Sequence, residues 1–237
     1  MGNVLEIKNL HKNYGRFTAL EDVNFSVQPG KIVGLLGPNG SGKTTLIKTI
    51  MGLLADYTGR VSISGAGESH APGVKANNYI SYLPDVGHIP DWFSAEQAMG
   101  FFADFYGDFD RPRAGEMLDA MKIPRDKALR KLSRGMQEKV QLALVMSRRA
   151  KLYVLDEPIG AVDPASREYI LNTILTHYAE DSAILLSSHI IADIEPVLDV
   201  AIFLKDGKIH MMDEADALRA KHGMSLDNLF REVFRNV

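Results

Sequence analysis

The sequence predicts an α/β fold with a parallel core sheet, an antiparallel β portion and a helical subdomain inserted at about residues 88–150. Three observations carry that reading. The runs Ile32 to Leu36, Leu152 to Leu155 and Ala183 to Leu186 are short and continuously apolar, as strands covered on both faces of a parallel sheet are. The stretches Val4 to Leu10 and Val23 to Val27 alternate apolar and polar residues, the pattern of half-covered antiparallel strands. Between Ser94 and about Ala150 the spacing turns helical.

Taken in order, the second alternating stretch closes on Pro29 and Gly30, a turn signal before the first buried strand. A glycine-rich segment follows that strand, and Leu46 to Met51 then reads as a helix. Val61 and Ile63 mark a third alternating strand, and Tyr79 to Leu83 is strand-like. The insert opens on Ser94-Ala95-Glu96-Gln97, a capping-box pattern in which Ser and Gln satisfy free amides at a helix start. After the last two apolar strands, Ala201 to Leu204, Asp206-Gly207 and Lys208-Ile209 read as a late hairpin, and amphipathic helical segments follow. No internal repeat or linker interrupts residues 1–237, which are therefore expected to form a single domain.

The 237 residues are 46% hydrophobic and 24% charged, enough apolar material for a sizeable core. A net charge of −3 offers no electrostatic footprint for a nucleic-acid backbone, so no nucleic-acid partner is expected. The absence of cysteine excludes disulfides and thiolate metal sites, and the seven histidines show no paired ligand spacing. The opening Met1-Gly2-Asn3-Val4-Leu5 carries no basic stretch ahead of an apolar one, so no export signal is expected. No apolar run approaches the ~18 residues of a membrane helix. A cytoplasmic setting fits, with any membrane association made through another protein.

Gly37-Pro38-Asn39-Gly40-Ser41-Gly42-Lys43-Thr44-Thr45 fits the phosphate-loop pattern G-x-x-x-x-G-K-[ST], and both the strand before it and the helix after it are in place. Glycines let successive amides turn inward on phosphate, and the helix start adds partial positive charge. Lys43 is placed to reach the β- and γ-phosphates and the Thr44 hydroxyl to bind Mg²⁺. Downstream, the strand Leu152 to Leu155 runs into Asp156 and Glu157. Two acids there either cap a strand at the surface or divide the labour, Asp156 at the metal and Glu157 on the attacking water.

With these elements on the page, the whole chain resembles the ATPase subunits of ABC transporters, and the short Gram-positive type most of all. Leu132-Ser133-Arg134-Gly135-Met136 is similar to the family signature, usually LSGGQ, and an amphipathic helix follows it. The resemblance implies a P-loop ABC ATPase fold that uses ATP and Mg²⁺. Two ATPase subunits, identical or not, would pair so that Ser133, Arg134, Gly135 and Met136 of one face the γ-phosphate on the other. It implies that His189 is a switch histidine beside Glu157, that Asp163 in Gly160-Ala161-Val162-Asp163-Pro164 lies in a dimer loop, and that Tyr14 stacks on adenine. Separate transmembrane permease subunits would hold the chain on the inner face of the cell membrane. Two departures stand out. Asp85 replaces the Gln that usually follows such a strand and binds the metal; it either does that work or merely starts a turn before Gly87. Arg134 and Met136 replace Gly and Gln of the signature. The aromatics Trp92, Phe93, Phe101, Phe102, Phe105, Tyr106 and Phe109 read as mostly core, the rest lining a groove for a short helix of the permease. A soluble ABC ATPase of an assembly or repair complex is the alternative within the family.

Overall fold

Two long strands, β1 (Leu5–Tyr14) and β2 (Phe17–Val27), pair antiparallel in the computed structural model, which describes residues 2–65, 67–160, 162–179 and 181–235. They extend the two expected stretches until Tyr14 faces Phe17 across a turn at Gly15 and Arg16. Strand β3 (Ile32–Leu36) leads through the glycine-rich loop into α1 (Lys43–Ile50). Strands β4 (Tyr57–Gly65) and β5 (Glu68–His70) complete a four-stranded antiparallel sheet in the order β2-β1-β4-β5. A short helix α2 (Val74–Asn77) and strand β6 (Ile80–Leu83) precede the helical insert of α3 (Ala95–Phe105), α4 (Arg111–Ala120) and α5 (Arg134–Met146). The chain continues through β7 (Leu152–Asp156), α6 (Pro164–His177), β8 (Ala183–Ser188), α7 (Ile191–Ile194), β9 (Val200–Lys205), β10 (Lys208–Glu214), α8 (Ala215–His222) and α9 (Leu226–Val233).

The larger sheet has the order β10-β9-β3-β8-β7-β6. It is wider than the three apolar runs suggest. Strand β6 pairs parallel with β7, and β9 pairs parallel with β3 while also forming the expected hairpin with β10. The sheet is apolar on both faces because each face meets a different core. Val33, Leu35, Val154 and Leu185 pack with α1 and the antiparallel sheet, whereas Ile32, Leu36, Tyr153, Leu155 and Leu186 pack with the insert and the later helices. That double cover removes the polar alternation a one-sided sheet would show.

The helical insert is bolted to the sheet by polar contacts. Its first helix has the full capping box, with Gln97 N donating to Ser94 Oγ at 3.2 Å and Ser94 N to Gln97 Oε1 at 2.9 Å. Buried Arg148, just beyond α5, donates to Ile80 O at 2.5 Å and Asn78 O at 3.0 Å, pairs with Asp108 at 3.0 Å, and lies 3.8 Å from the centroid of the Tyr106 ring. Of the insert's aromatics, Phe102 is buried and Phe93, Tyr106 and Phe109 pack on the core. Trp92, Phe101 and Phe105 are exposed by 63%, 45% and 69%, so four of the seven serve the core and three stand outside it. An eleven-residue helix has one inward face, and Phe101 and Phe105, four apart, sit together on the outward one.

Candidate active site

The loop between β3 and α1 is a cradle shaped by close approach. A Cβ at Gly37 would lie 2.4 Å from Ser41 Oγ and 2.5 Å from Leu204 O, so only glycine fits there. Gly42 has φ of +108°, a region that L side chains avoid, and a Cβ on it would come within 3.0 Å of Ala19 O. Helix α1 begins directly after Gly42 with no side-chain cap, leaving its first amides free for an anion. Ser41 Oγ is buried without a hydrogen-bond partner, one more donor in the same loop. The buried Lys43 ammonium donates to Gly37 O at 2.6 Å and Pro38 O at 3.2 Å. Burial lowers its pKa, while Glu157 and Asp156 oppose that shift.

A cavity of about 310 Å³ opens over this cradle. Pro38, Asn39, Gly40, Gly42, Lys43, Thr44 and Thr45 line its floor, and Asp85, Asp156 and Glu157 line its far wall. Tyr14 stands at its mouth, 46% exposed, with Lys12 Nζ 5.2 Å from its ring centroid. Phe17 also lines the mouth. It went unsingled in the sequence, although the Tyr14-Gly15-Arg16-Phe17 turn is a usable signal, because residues flanking a two-residue hairpin turn face one another.

The acids sit at the carboxyl end of β7. Asp156 is buried and accepts a hydrogen bond from Ser187 Oγ at 2.5 Å. Burial raises its pKa, Ser187 and Lys43 lower it, and Asp85 and Glu157 raise it. Ser187 is a second residue sequence reading missed, and its only signal is a hydroxyl at the end of an otherwise apolar strand. Glu157 has φ of 53°, a conformation that a β-carbon makes costly. It is held there by its amide, which donates to Ser187 O and to Ser187 Oγ, both at 3.1 Å. The turn aims its carboxylate at His189, whose Nδ1 lies 2.8 Å from Glu157 Oε2. Asp85 also borders an adjoining cavity of about 330 Å³ shared with Arg134 and Glu138. Beside it, burial together with Asp156 and Asp85 pushes the Tyr82 hydroxyl up to about 12.

Among the described residues no group of three or more His, Cys, Asp or Glu is set to hold a metal. The donors that face the cavity are hard oxygens, Thr44, Asp85 and Asp156, a set suited to Mg²⁺ that takes its remaining ligands from phosphate and water. The signature residues lie elsewhere. Ser133 caps α5, accepting from Met136 N at 3.3 Å, and Arg134 pairs with Glu138 at 3.3 Å. None of Ser133, Arg134, Gly135 and Met136 lines the phosphate cavity of their own chain. Asp163 immediately precedes α6, and Ala161 of the same loop lies outside the described residues.

Comparison with known proteins fixes the family. The model described as ABC transporter matches residues 20–160, from β2 through the phosphate loop and the insert to the turn after Glu157. The chain belongs to the ABC transporter family. It is 31% identical over 220 residues to the ABC transporter ATP-binding protein YtrB of Bacillus subtilis (strain 168), covering 92% of this chain and 75% of that one. It is 29% identical over 215 residues to the lantibiotic transport ATP-binding protein SrtF of Streptococcus pyogenes, covering 90% and 92%. A solved ATP-binding subunit of an ABC transporter superposes with a TM-score of 0.87 at 30% identity, covering 98% of this chain and 99% of that one. As an ABC ATPase, the chain binds ATP and hydrolyses it.

Proposed function

We propose that this ABC ATPase powers transport through separate transmembrane permease subunits, working as one half of a pair of ATPase subunits that close on two ATP molecules. The observation that carries the reading is that one cavity gathers Lys43, Asp85, Asp156 and Glu157, with His189 on Glu157, while Ser133, Gly135 and Met136 line neither that cavity nor the adjoining one, which Arg134 borders. The chain thus holds the hydrolytic half of a site and, separately, the start of α5, capped by Ser133, whose remaining amides suit the γ-phosphate of a partner's ATP.

In the proposed mechanism, Lys43 and the loop amides hold the phosphates, and Tyr14 and Phe17 flank the base. Thr44 and Asp156, with Asp85 near, would hold Mg²⁺, which would supply neutralisation of the phosphate charge. Glu157 takes a proton from a water as that water bonds to the γ-phosphorus, and the bond to the β–γ bridging oxygen breaks with its electron pair leaving on ADP. His189 holds the Glu157 carboxylate in line and donates to it. Asp163 and the signature residues Ser133 to Met136 make the contacts across the pair.

Among the described residues no helix is long and apolar enough to cross a membrane, and in this reading a partner makes the passage. We place the chain on the cytoplasmic face of the membrane, held there by the permease. The exposed Trp92, Phe101 and Phe105 give that partner an apolar landing site, because large aromatics are otherwise rarely left clustered in water. Affinity purification from detergent-solubilised native membranes should recover a polytopic protein, and Glu157→Gln should bind ATP, accumulate as a pair of ATPase subunits and lose roughly 10²–10⁴-fold in turnover. Recovery of cytosolic assembly or repair factors alone would replace the transporter by the other ABC ATPase reading, and wild-type turnover in Glu157→Gln would remove Glu157 as the base.

A further inference from the structure

We infer that Arg167 is a positioning residue for the Glu157–His189 pair, clamping the loop that leaves Glu157 to the segment that leaves His189. The inference rests on the reading that these two residues carry hydrolysis. Glu157 and His189 come from neighbouring strands, β7 and β8, and meet at the Glu157 carboxylate, which accepts from the His189 amide at 3.3 Å and lies 2.8 Å from its Nδ1. Beyond them both strands end, and the paths of the two segments that follow rest on further contacts.

Arg167, in the first turns of α6, spans that gap. Its backbone amide donates to Asp163 O at 3.1 Å, its Nε donates to Val162 O at 3.2 Å, and its Nη1 donates to Asp193 Oδ2 at 2.8 Å. Val162 ends the loop whose first turn is closed by Gly160 N donating to Glu157 O at 3.0 Å. Asp193 lies on α7, the helix that follows His189. One guanidinium thus bonds the far end of each loop, using two N–H directions at a fixed angle that an ammonium lacks.

The remaining end of the His189 segment is already fixed. Glu195, directly after α7, accepts from Leu226 N at 2.9 Å and Asp227 N at 3.2 Å at the start of α9 and pairs with Arg219 at 3.3 Å. Nearer the pair, Ile190 N donates to Ser188 Oγ at 3.0 Å, and the Arg167 link adds the tie from α7 back to the Glu157 loop. The placement also runs against helix electrostatics, since a cation near a helix N-terminus opposes the macrodipole, although Asp163 stands just before that helix. A tie across to Asp193 supplies the reason for an arginine there. The pair is only partly buried, at 25% and 35% side-chain exposure, which suits a link that is worth little to global stability.

The test is the steady-state ATPase of the full chain with Arg167→Met, Arg167→Lys, Asp193→Asn and the exchanged pair Arg167→Asp with Asp193→Arg, each with its melting temperature. Arg167→Met and Asp193→Asn should lower kcat roughly tenfold with KM for ATP and the melting temperature near wild type, and the exchanged pair should recover part of the rate. Arg167→Lys should fall between. Wild-type kcat in Arg167→Met, or a loss of ATP affinity and melting temperature in parallel with rate, overturns the inference. Should Arg167→Met fail to fold, Asp193→Asn cuts the same link from the other side. His189→Ala separates the two layers, because full activity there defeats the reading of the pair itself, whereas an inactive His189→Ala beside a fully active Arg167→Met defeats only the clamp.

Discussion

Ser187 Oγ stands 2.5 Å from Asp156 Oδ1 and 3.1 Å from the amide nitrogen of Glu157. A single buried hydroxyl therefore donates to one acid and accepts from the backbone of the next. We predict that Ser187→Ala lowers stability by about 1–3 kcal/mol, the cost of stranding a buried polar group. Loss of the hydrogen bond raises the Asp156 pKa further than burial already does. A carboxyl whose folded pKa lies above its unfolded value gives stability that is present below the unfolded value and lost as pH rises through the folded one. The variant's deficit in urea melts should accordingly be larger at neutral pH than in acid, and the acid limb of its ATPase profile should move to higher pH. A deficit independent of pH would disprove the charge argument.

The cradle makes a sharper prediction about the phosphate loop. Gly37→Ala forces a methyl group into 2.4 Å contact with Ser41 Oγ and 2.5 Å contact with the Leu204 carbonyl, neither of which lies at the end of a long flexible side chain. Nucleotide affinity should drop at least tenfold. Gly40→Ala meets no atom within 4 Å and only carries the strain of φ +83°, about 1–2 kcal/mol. Fluorescent-nucleotide titration of both variants distinguishes a steric effect from generic loop damage, which would make the two equal.

Asp85 shares a cavity wall with Asp156 and Glu157 and raises the Asp156 pKa. If it meets the ion directly or through water, Asp85→Ala weakens the Mg²⁺ dependence of hydrolysis while Asp85→Gln largely preserves it. Mg²⁺ titration of the ATPase rate is the measurement. Superimposable curves for wild type and Asp85→Ala would leave Asp85 a turn residue.

Arg148 joins the insert to the sheet from a position 3% exposed. Replacing it with Met strands the carbonyls of Ile80 and Asn78 and unpairs Asp108. A loss of about 1–3 kcal/mol is expected, the cost of stranding buried carbonyls, since Asp108 keeps partial access to water. Urea midpoints measure it, and a loss under 1 kcal/mol would mean that the two layers are joined by apolar packing alone.

The fold and the phosphate end of the site were legible because they rest on local rules. The apolar runs at β3, β7 and β8 and the glycine spacing from Gly37 to Gly42 are dictated by burial and by backbone approach, and both leave a pattern in consecutive residues. What escaped notice depends on residues far apart. Ser187 matters only because β8 lies beside β7, which puts it opposite Asp156 in the ladder. Phe17 matters because β2 returns to Tyr14. The outward Phe101 and Phe105 could not be separated from the inward Phe102 by composition, since aromatic residues serve both faces until the helix has a neighbour.

The order of the large sheet also bears on how the protein is made. Strand β3 lies between β8 and β9, and the phosphate loop that follows it is seated on the late hairpin, with Gly207 N donating to Ser41 O at 2.9 Å. At 5–20 residues per second, the ribosome delivers Ser41 about ten to thirty seconds before Gly207. For most of that interval an apolar central strand has neither neighbour, and throughout it the loop has no seat. ATP therefore cannot template the fold early in synthesis, and nascent chains halted ahead of Val200 should depend on chaperones for solubility and be blind to nucleotide.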